Sequence, residues 1–186
     1  YGCSAETQHK KRINSRQATL RCVDKARAFQ CMSEDVPIPR WWTASEGIDK
    51  GVETLVIRQD RKGRKAEDLS YWYRESGLPI PHGDLYTEYF EHKREYRVTV
   101  FMGKTWVYFK NFSKETGMHT FNLQRVKDYP KIVDACNKAA KAIGIDYASF
   151  DVVAKTKDDF VILEANSGTI LTEEVSTGIV EYFLNL

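Results

Sequence analysis

The chain has 186 residues, 42% hydrophobic and 29% charged, and a formal charge of +2 at pH 7. Those values describe one ordinary domain or two small lobes with a real core, and they exclude a disordered chain. The near-balanced charge gives no global field to draw in nucleic acid or membrane, and no apolar run reaches membrane-spanning length. The four cysteines, Cys3, Cys22, Cys31 and Cys136, form no CxxC pair and no zinc spacing, which suits a reducing compartment better than a disulfide framework. The first residues are polar rather than signal-like, so the expectation is a soluble, cytoplasmic protein. The chain opens on Tyr1 rather than Met, and an upstream segment is allowed for.

Residues 1–16 are polar and basic, densest at His9-Lys10-Lys11-Arg12. Such a run reads as a solvated face, or as a phosphate contact. In residues 18–32, Leu20, Val23, Ala26 and Cys31, with Phe29 beside them, predict one amphipathic helix. Val36-Pro37-Ile38-Pro39 must then run extended, and Trp41-Trp42-Thr43 begins a new packed region. Residues 54–58 read as a buried strand ending on the cation Arg58, followed by a basic loop, residues 59–65, around a single glycine. That loop is either a cover for phosphates or a solvated hairpin tip. Residues 67–75 are expected to form a short helix carrying Tyr71, Trp72 and Tyr73, and the turn-rich residues 77–84 a boundary between two lobes.

Strands resume over residues 85–90. After a charged link the segment 95–101 alternates, with Glu95, Arg97 and Thr99 on one side and Tyr96, Val98 and Val100 on the other. Met102-Gly103-Lys104 turns into another alternating strand ending at Lys110, so antiparallel sheet is the economical reading. A polar loop leads to Pro130, which opens a helix with Ile132, Val133, Cys136, Ala139, Ala140 and Ile143 at helical spacing, closed by Gly144. Residues 173–186 are expected to form a terminal helix packing through Val175, Ile179, Tyr182 and Phe183.

Between these helices residues 147–168 carry two runs rich in Val, Ile, Phe and Tyr around the polar stretch 155–159, a hairpin signal. With the turn centred between Lys157 and Asp158, Asp151 falls opposite Glu164, and Asn166 lies on the same face. Facing carboxylates repel across a ladder, whereas a hard cation between them reverses the sign. Asp, Glu and Asn supply the oxygens Mg²⁺ takes alongside phosphates. The alternative is a pair of surface carboxylates on an edge hairpin in another register. No GxxxxGK[ST], GxGxxG, GxSxG or HExxH motif is present.

The order of Asp24-Lys25, the VPIPRW segment, the EYRVTVF strand with Arg97, Lys110, and Asp151 with Glu164-Ala165-Asn166 resembles the ATP-grasp superfamily. Within it the pattern is similar to RimK-like carboxylate–amine ligases, including small phage-encoded members. The resemblance implies an α+β fold in which two lobes with antiparallel sheets clasp a nucleotide. Residues 1–45 would be the remnant of an N-terminal lobe and its lead-in helix, residues 46–84 the small lobe, and residues 85–186 the large lobe with the metal-binding hairpin. The usual N-terminal lobe would be reduced or missing, with a homo-oligomer or a partner chain as its source.

The resemblance also implies roles. Lys25 and Arg58 would reach the phosphates of ATP; Thr87-Glu88-Tyr89-Phe90 would meet the adenine edge, with Glu88 accepting from its amino group. Glu95 would face the ribose, and Arg97 and Lys110 would hold the γ-phosphate or an acyl phosphate. Asp151, Glu164 and Asn166 would hold one or two Mg²⁺ ions, or Mn²⁺. The implied activity joins a carboxylate to an amine, small molecules or peptides, with release of ADP and phosphate. Two alternatives stand beside it: a nucleotide-binding module without turnover, and a nucleic-acid-binding protein using residues 9–16 and 58–65.

Overall fold

A computed structural model describes residues 13–34, 36–62, 68–113, 118–125, 128–168 and 171–185. It has two antiparallel sheets and four α-helices among the described residues. The expected helix over residues 18–32 is two helices, α1 (Arg16–Val23) and α2 (Lys25–Met32). Asp24 separates them because it is extended (φ −95°, ψ 104°) and its side chain accepts from the Arg27 N–H, capping α2, as Ser15 caps α1 through Ala18 N. The break makes Lys25 the first residue of α2 and buries it.

The small sheet has the order β1-β4-β2-β3, with β1 (Trp41–Trp42), β2 (Thr54–Arg58), β3 (Leu69–Tyr73) and β4 (Leu85–Glu88). Strand β3 corrects the helix expected around Tyr71 to Tyr73. Its three aromatics alternate, Trp72 buried against Leu55 and Ile57 while Tyr71 and Tyr73 stay exposed, and a helix could not present them that way. A single 3-10 turn, Arg74–Ser76, follows it. Strand β4 pairs with both β1 and β2, so the connector 77–84 lies within this sheet and the passage to the second sheet falls at residues 89–93.

The large sheet has the order β7-β6-β5-β8-β9, with β5 (Arg94–Phe101), β6 (Lys104–Ser113), β7 (Met118–Arg125), β8 (Tyr147–Ala154) and β9 (Phe160–Asn166). Strand β7 replaces part of the loop expected after Lys110. The helix α3 (Pro130–Ile143) has the expected proline start and a left-handed Gly144 (φ 76°) at its end. One face of the large sheet, with Tyr96, Val98, Val100, Phe150, Val152 and Ile162, packs on α1, α2 and α3 in the main core. At one end of the other face α4 (Glu173–Leu184) covers Phe101, Trp106 and Tyr147 through Val175, Ile179 and Tyr182. The rest of that face stays open beside the small sheet. No helix among the described residues is long and apolar enough to cross a membrane.

Gly83 ties the small lobe's packing to the position of Arg58. A Cβ there would run into the Ile57 side chain and stand 3.1 Å from the Arg58 carbonyl, and the Arg58 carbonyl already accepts from Asp84 N at 2.8 Å. Neither neighbour can retreat freely. Gly83→Ala is expected to cost about 2 kcal/mol by overpacking, which thermal melting would register as a midpoint about 4–8 °C lower.

Candidate active site

The open face of the large sheet takes its chemistry from register. Lys110 lies opposite Glu95, Arg97 opposite Asp151, and Asp151 opposite Glu164, so β6, β5, β8 and β9 each bring one or two charges to the same surface. The hairpin does not turn where the sequence places it. Ala154 pairs with Phe160, which centres the turn on Lys157 and would set Asp151 against Leu163. A bulge between Asp151 and Val152 restores the Asp151–Glu164 pairing and sets Ser149 against Asn166. Without that extra residue Glu164 would pair with Phe150 and point into the core.

These charges interlock. The Arg97 guanidinium donates to both Asp151 oxygens, at 2.8 and 2.9 Å, and Lys110 Nζ reaches Asp151 Oδ2 at 3.1 Å and Glu95 Oε2 at 3.6 Å. Glu164 is shared: Lys25 Nζ lies 3.6 Å from Oε1, and Arg58 crosses from the small lobe to within 3.7 Å of Oε2. The cluster thus joins helix α2, the small sheet and four strands of the large sheet. Among the described residues Lys25, Arg58, Arg97 and Lys110 meet Glu95, Asp151 and Glu164 where screening by water is weak. Burial pulls the Lys25 ammonium below its usual pKa, with Glu164 pulling it partly back, and burial lowers Arg58 in the same way.

Asn166 lines a hollow of about 240 Å³ together with Lys25, Lys62, Glu164, Ser167 and Gly168. Glu88 stands apart from the cluster. It pairs with Leu55, on the sheet face opposite Arg58, and the Arg40 fork grips both its oxygens at 2.8 Å. Tyr89 and Phe90 lie in the passage between the sheets. Tyr89 N donates to Thr54 O of the small sheet, the Tyr89 ring meets Tyr71 edge-on at 6.1 Å, and Lys155 Nζ lies 4.9 Å from the centre of the Phe90 ring. Of the basic loop, Gly63 and the residues to 67 lie outside the described residues, as do residues 1–12.

Sequence reasoning missed two participants. His92 sits between the Phe90 carbonyl, 2.9 Å from Nδ1, and Glu95, 3.3 Å from Nε2. Arg40 ends the extended VPIPR run. His92 belongs to no periodic or motif pattern, and the VPIPRW segment gives Arg40 no partner, so only the fold reveals what they meet.

The donor set fits a divalent cation. Among the described residues no three His, Cys, Asp or Glu side chains gather as a metal cage. Mg²⁺ does not need one, since it takes one or two carboxylates and completes its shell with water and substrate phosphates. Asp151 and Glu164 on one row, with Asn166 on the next, are such a set, and their present partners are cations that an anionic ligand would attract away.

No protein-family model matches the chain, and no curated protein does. Solved structures do. The ATP-grasp ligase PsnB complexed with minimal precursor is 16% identical with a TM-score of 0.65, covering 86% of this chain and 56% of that one. D-alanine–D-alanine ligase from Bacillus anthracis is 14% identical with a TM-score of 0.62, covering 90% and 65%. The macrocyclase MdnC bound with precursor peptide MdnA, from Microcystis aeruginosa MRC, is 15% identical with a TM-score of 0.65, covering 94% and 64%. The chain therefore has the ATP-grasp fold, and it spans from 56% to 65% of the length of these three proteins.

Burial by itself raises the pKa of Asp151, but the Arg97 hydrogen bonds, with Lys110 behind them, overcome it and hold the carboxyl below its usual value. A depressed carboxyl contributes stability that is complete above the unfolded-state pKa of roughly 4 and is lost as pH falls through the folded value. Asp151→Ala, which leaves two cations mostly buried, is expected to lose about 3 kcal/mol at neutral pH. Urea unfolding should show that gap narrowing below roughly pH 4. An equal gap at pH 3 and pH 7 would mean the carboxylate charge contributes nothing.

Proposed function

We propose that this chain is the nucleotide-binding and catalytic part of an ATP-dependent ligase that joins a carboxylate to an amine through an acyl phosphate. The observation that carries the proposal is the meeting of Lys25, Arg58, Arg97 and Lys110 on Asp151 and Glu164 between two antiparallel sheets. The RimK-like pattern of the sequence and the solved ligases of the same fold support it.

In this reading a carboxylate oxygen of the substrate attacks the γ-phosphorus and the bond to the bridging oxygen of ADP breaks. An amine nitrogen then attacks the acyl carbon, inorganic phosphate leaves, and the nitrogen gives up a proton. The first step brings anions together, so positioning and charge neutralisation are the protein's main tasks. Lys25 and Arg58 bind the phosphates, and arginine at position 58 can do so with two parallel hydrogen bonds where lysine would offer one point charge. Arg97 and Lys110 hold the transferred phosphoryl group. Asp151, Glu164 and Asn166 hold Mg²⁺, or Mn²⁺, which when bound draws charge off the phosphate oxygens. Tyr89 and Phe90 border the base, and Glu95 faces the ribose. In this reading nucleotide binding exchanges the partners that these cations and carboxylates give one another.

Short peptides belong among the candidate substrates, because PsnB and MdnC carry precursor peptides. A second reading, a nucleotide-binding module without turnover, is favoured by the Arg97 fork, which takes both oxygens of Asp151.

The test is a screen of amino acids and short peptides for phosphate release with ATP and Mg²⁺. The expected products are ADP and phosphate in an amount that depends on the carboxylate. Glu164→Gln should slow turnover by on the order of 10²-fold. AMP as the sole nucleotide product refutes the ligase reading, while calorimetric nucleotide binding with no ADP from any mixture selects the second one.

A further inference from the structure

Strand β7 joins β6 only from Tyr108 onward, where Tyr108 pairs with Arg125, so among the described residues Lys104 to Val107 pair with β5 alone. A strand edge of this kind presents main-chain donors and acceptors that a further strand can take up. It borders a groove of about 600 Å³ whose lining shares no residue with the ion cluster. Lys104, Thr105 and Trp106 all line this groove. Neighbouring strand side chains point to opposite faces, so three in a row mean that the groove meets β6 at its edge.

The opposite wall is α4, through the exposed residues Glu173, Glu174 and Glu181. Lys104 Nζ reaches Glu181 at 3.4 Å, so among the described lining residues three carboxylates face one ammonium. Trp106 stands between the walls. A Cβ at Gly178 would run into its ring atoms Cζ2 and Cη2, so the glycine is what lets the indole close on the helix. The residue is 6% exposed, yet its indole N–H has no hydrogen-bond partner among the described residues. An indole donates and cannot accept, and when buried it ordinarily finds a partner. This one calls for an acceptor oxygen.

The groove thus suits cations, an acceptor oxygen beside them, and a main chain that can pair with a strand edge. A metal ion or a polyamine supplies only the first. A peptide with Lys or Arg at alternate positions supplies all three, since alternate side chains of an extended chain face one way while its backbone pairs sideways. We propose that the groove between the start of β6 and α4 docks a basic peptide segment in extended form. The inference stands apart from the nucleotide reading, because the two sites have no residue in common.

The experiment is fluorescence anisotropy on the whole chain with a fluorescein-labelled peptide of alternating arginine and threonine, and with a glutamate–threonine peptide of the same length. The arginine peptide is expected to bind saturably and less tightly as salt rises, and the glutamate peptide not to bind. Glu173→Lys combined with Glu181→Lys, both at exposed positions, should weaken binding about tenfold or more. Trp106→Phe, which keeps a packed ring and removes the N–H, should weaken it about fivefold, the scale of one neutral hydrogen bond. If the charge reversals weaken binding and Trp106→Phe does not, α4 merely gathers cations and the inference is overturned. Should Trp106→Phe fail to fold, the wild type is tested with the arginine peptide methylated on its main-chain nitrogens, which keeps the charges but cannot pair with a strand. About fivefold weaker binding is then expected, and equal affinity overturns the inference. Binding that survives the charge reversals, or no binding by the wild type, overturns it as well.

Discussion

Asp151 remains charged at a site where its side chain is 15% exposed because Arg97 and Lys110 close on it from the neighbouring strands. Much of the molecule is arranged around that requirement. The guanidinium comes from β5, the ammonium from β6, and the carboxylate from β8, so the three strands must keep a common register for the charges to meet. Removing any one leaves a poorly hydrated charge with one partner fewer, which is costly. In the proposed function these partners would be exchanged for an incoming phosphate and its metal.

The second group of charges binds the two lobes. Glu164 receives Arg58 from the small sheet and Lys25 from the start of α2, and Lys25 N donates to Arg61 O at 3.2 Å, attaching the loop after β2 to the same helix. Arg61 further meets the helix-capping Asp24 at 3.3 Å. Asp24 thus ends one helix, caps the next and holds the base of the basic loop. The cleft is bordered by segments that these few polar contacts hold in relation to one another.

Much of the fold was legible in the chain, and the reasons are local. Pro130 and Gly144 bracket α3 because proline suits a first helical turn and glycine suits the left-handed residue after the last. Alternation along residues 95–101 marks β5 because Tyr96, Val98 and Val100 enter the main core while Glu95 and Arg97 face the ion cluster. Where local preference is ambiguous the reading went astray. Tyr71-Trp72-Tyr73 became an edge strand because Leu55 and Ile57 offer Trp72 a buried neighbour, and the polar residues after Lys110 gained a strand because β6 offered hydrogen-bond partners.

The hairpin shows most clearly where the division lies. The sequence by itself determined which oxygen-bearing and cationic residues are available, on which kinds of element, and that Asp151 and Glu164 could share a row, since side-chain alternation and turn chemistry are properties of neighbouring residues. Only the tertiary structure decided that a bulge would correct the off-centre turn, that Arg58 would cross to Glu164, and that Arg40 would take both oxygens of Glu88. Those outcomes depend on how strands and lobes come to lie side by side. That is settled by packing between residues distant in the chain, which no local pattern encodes.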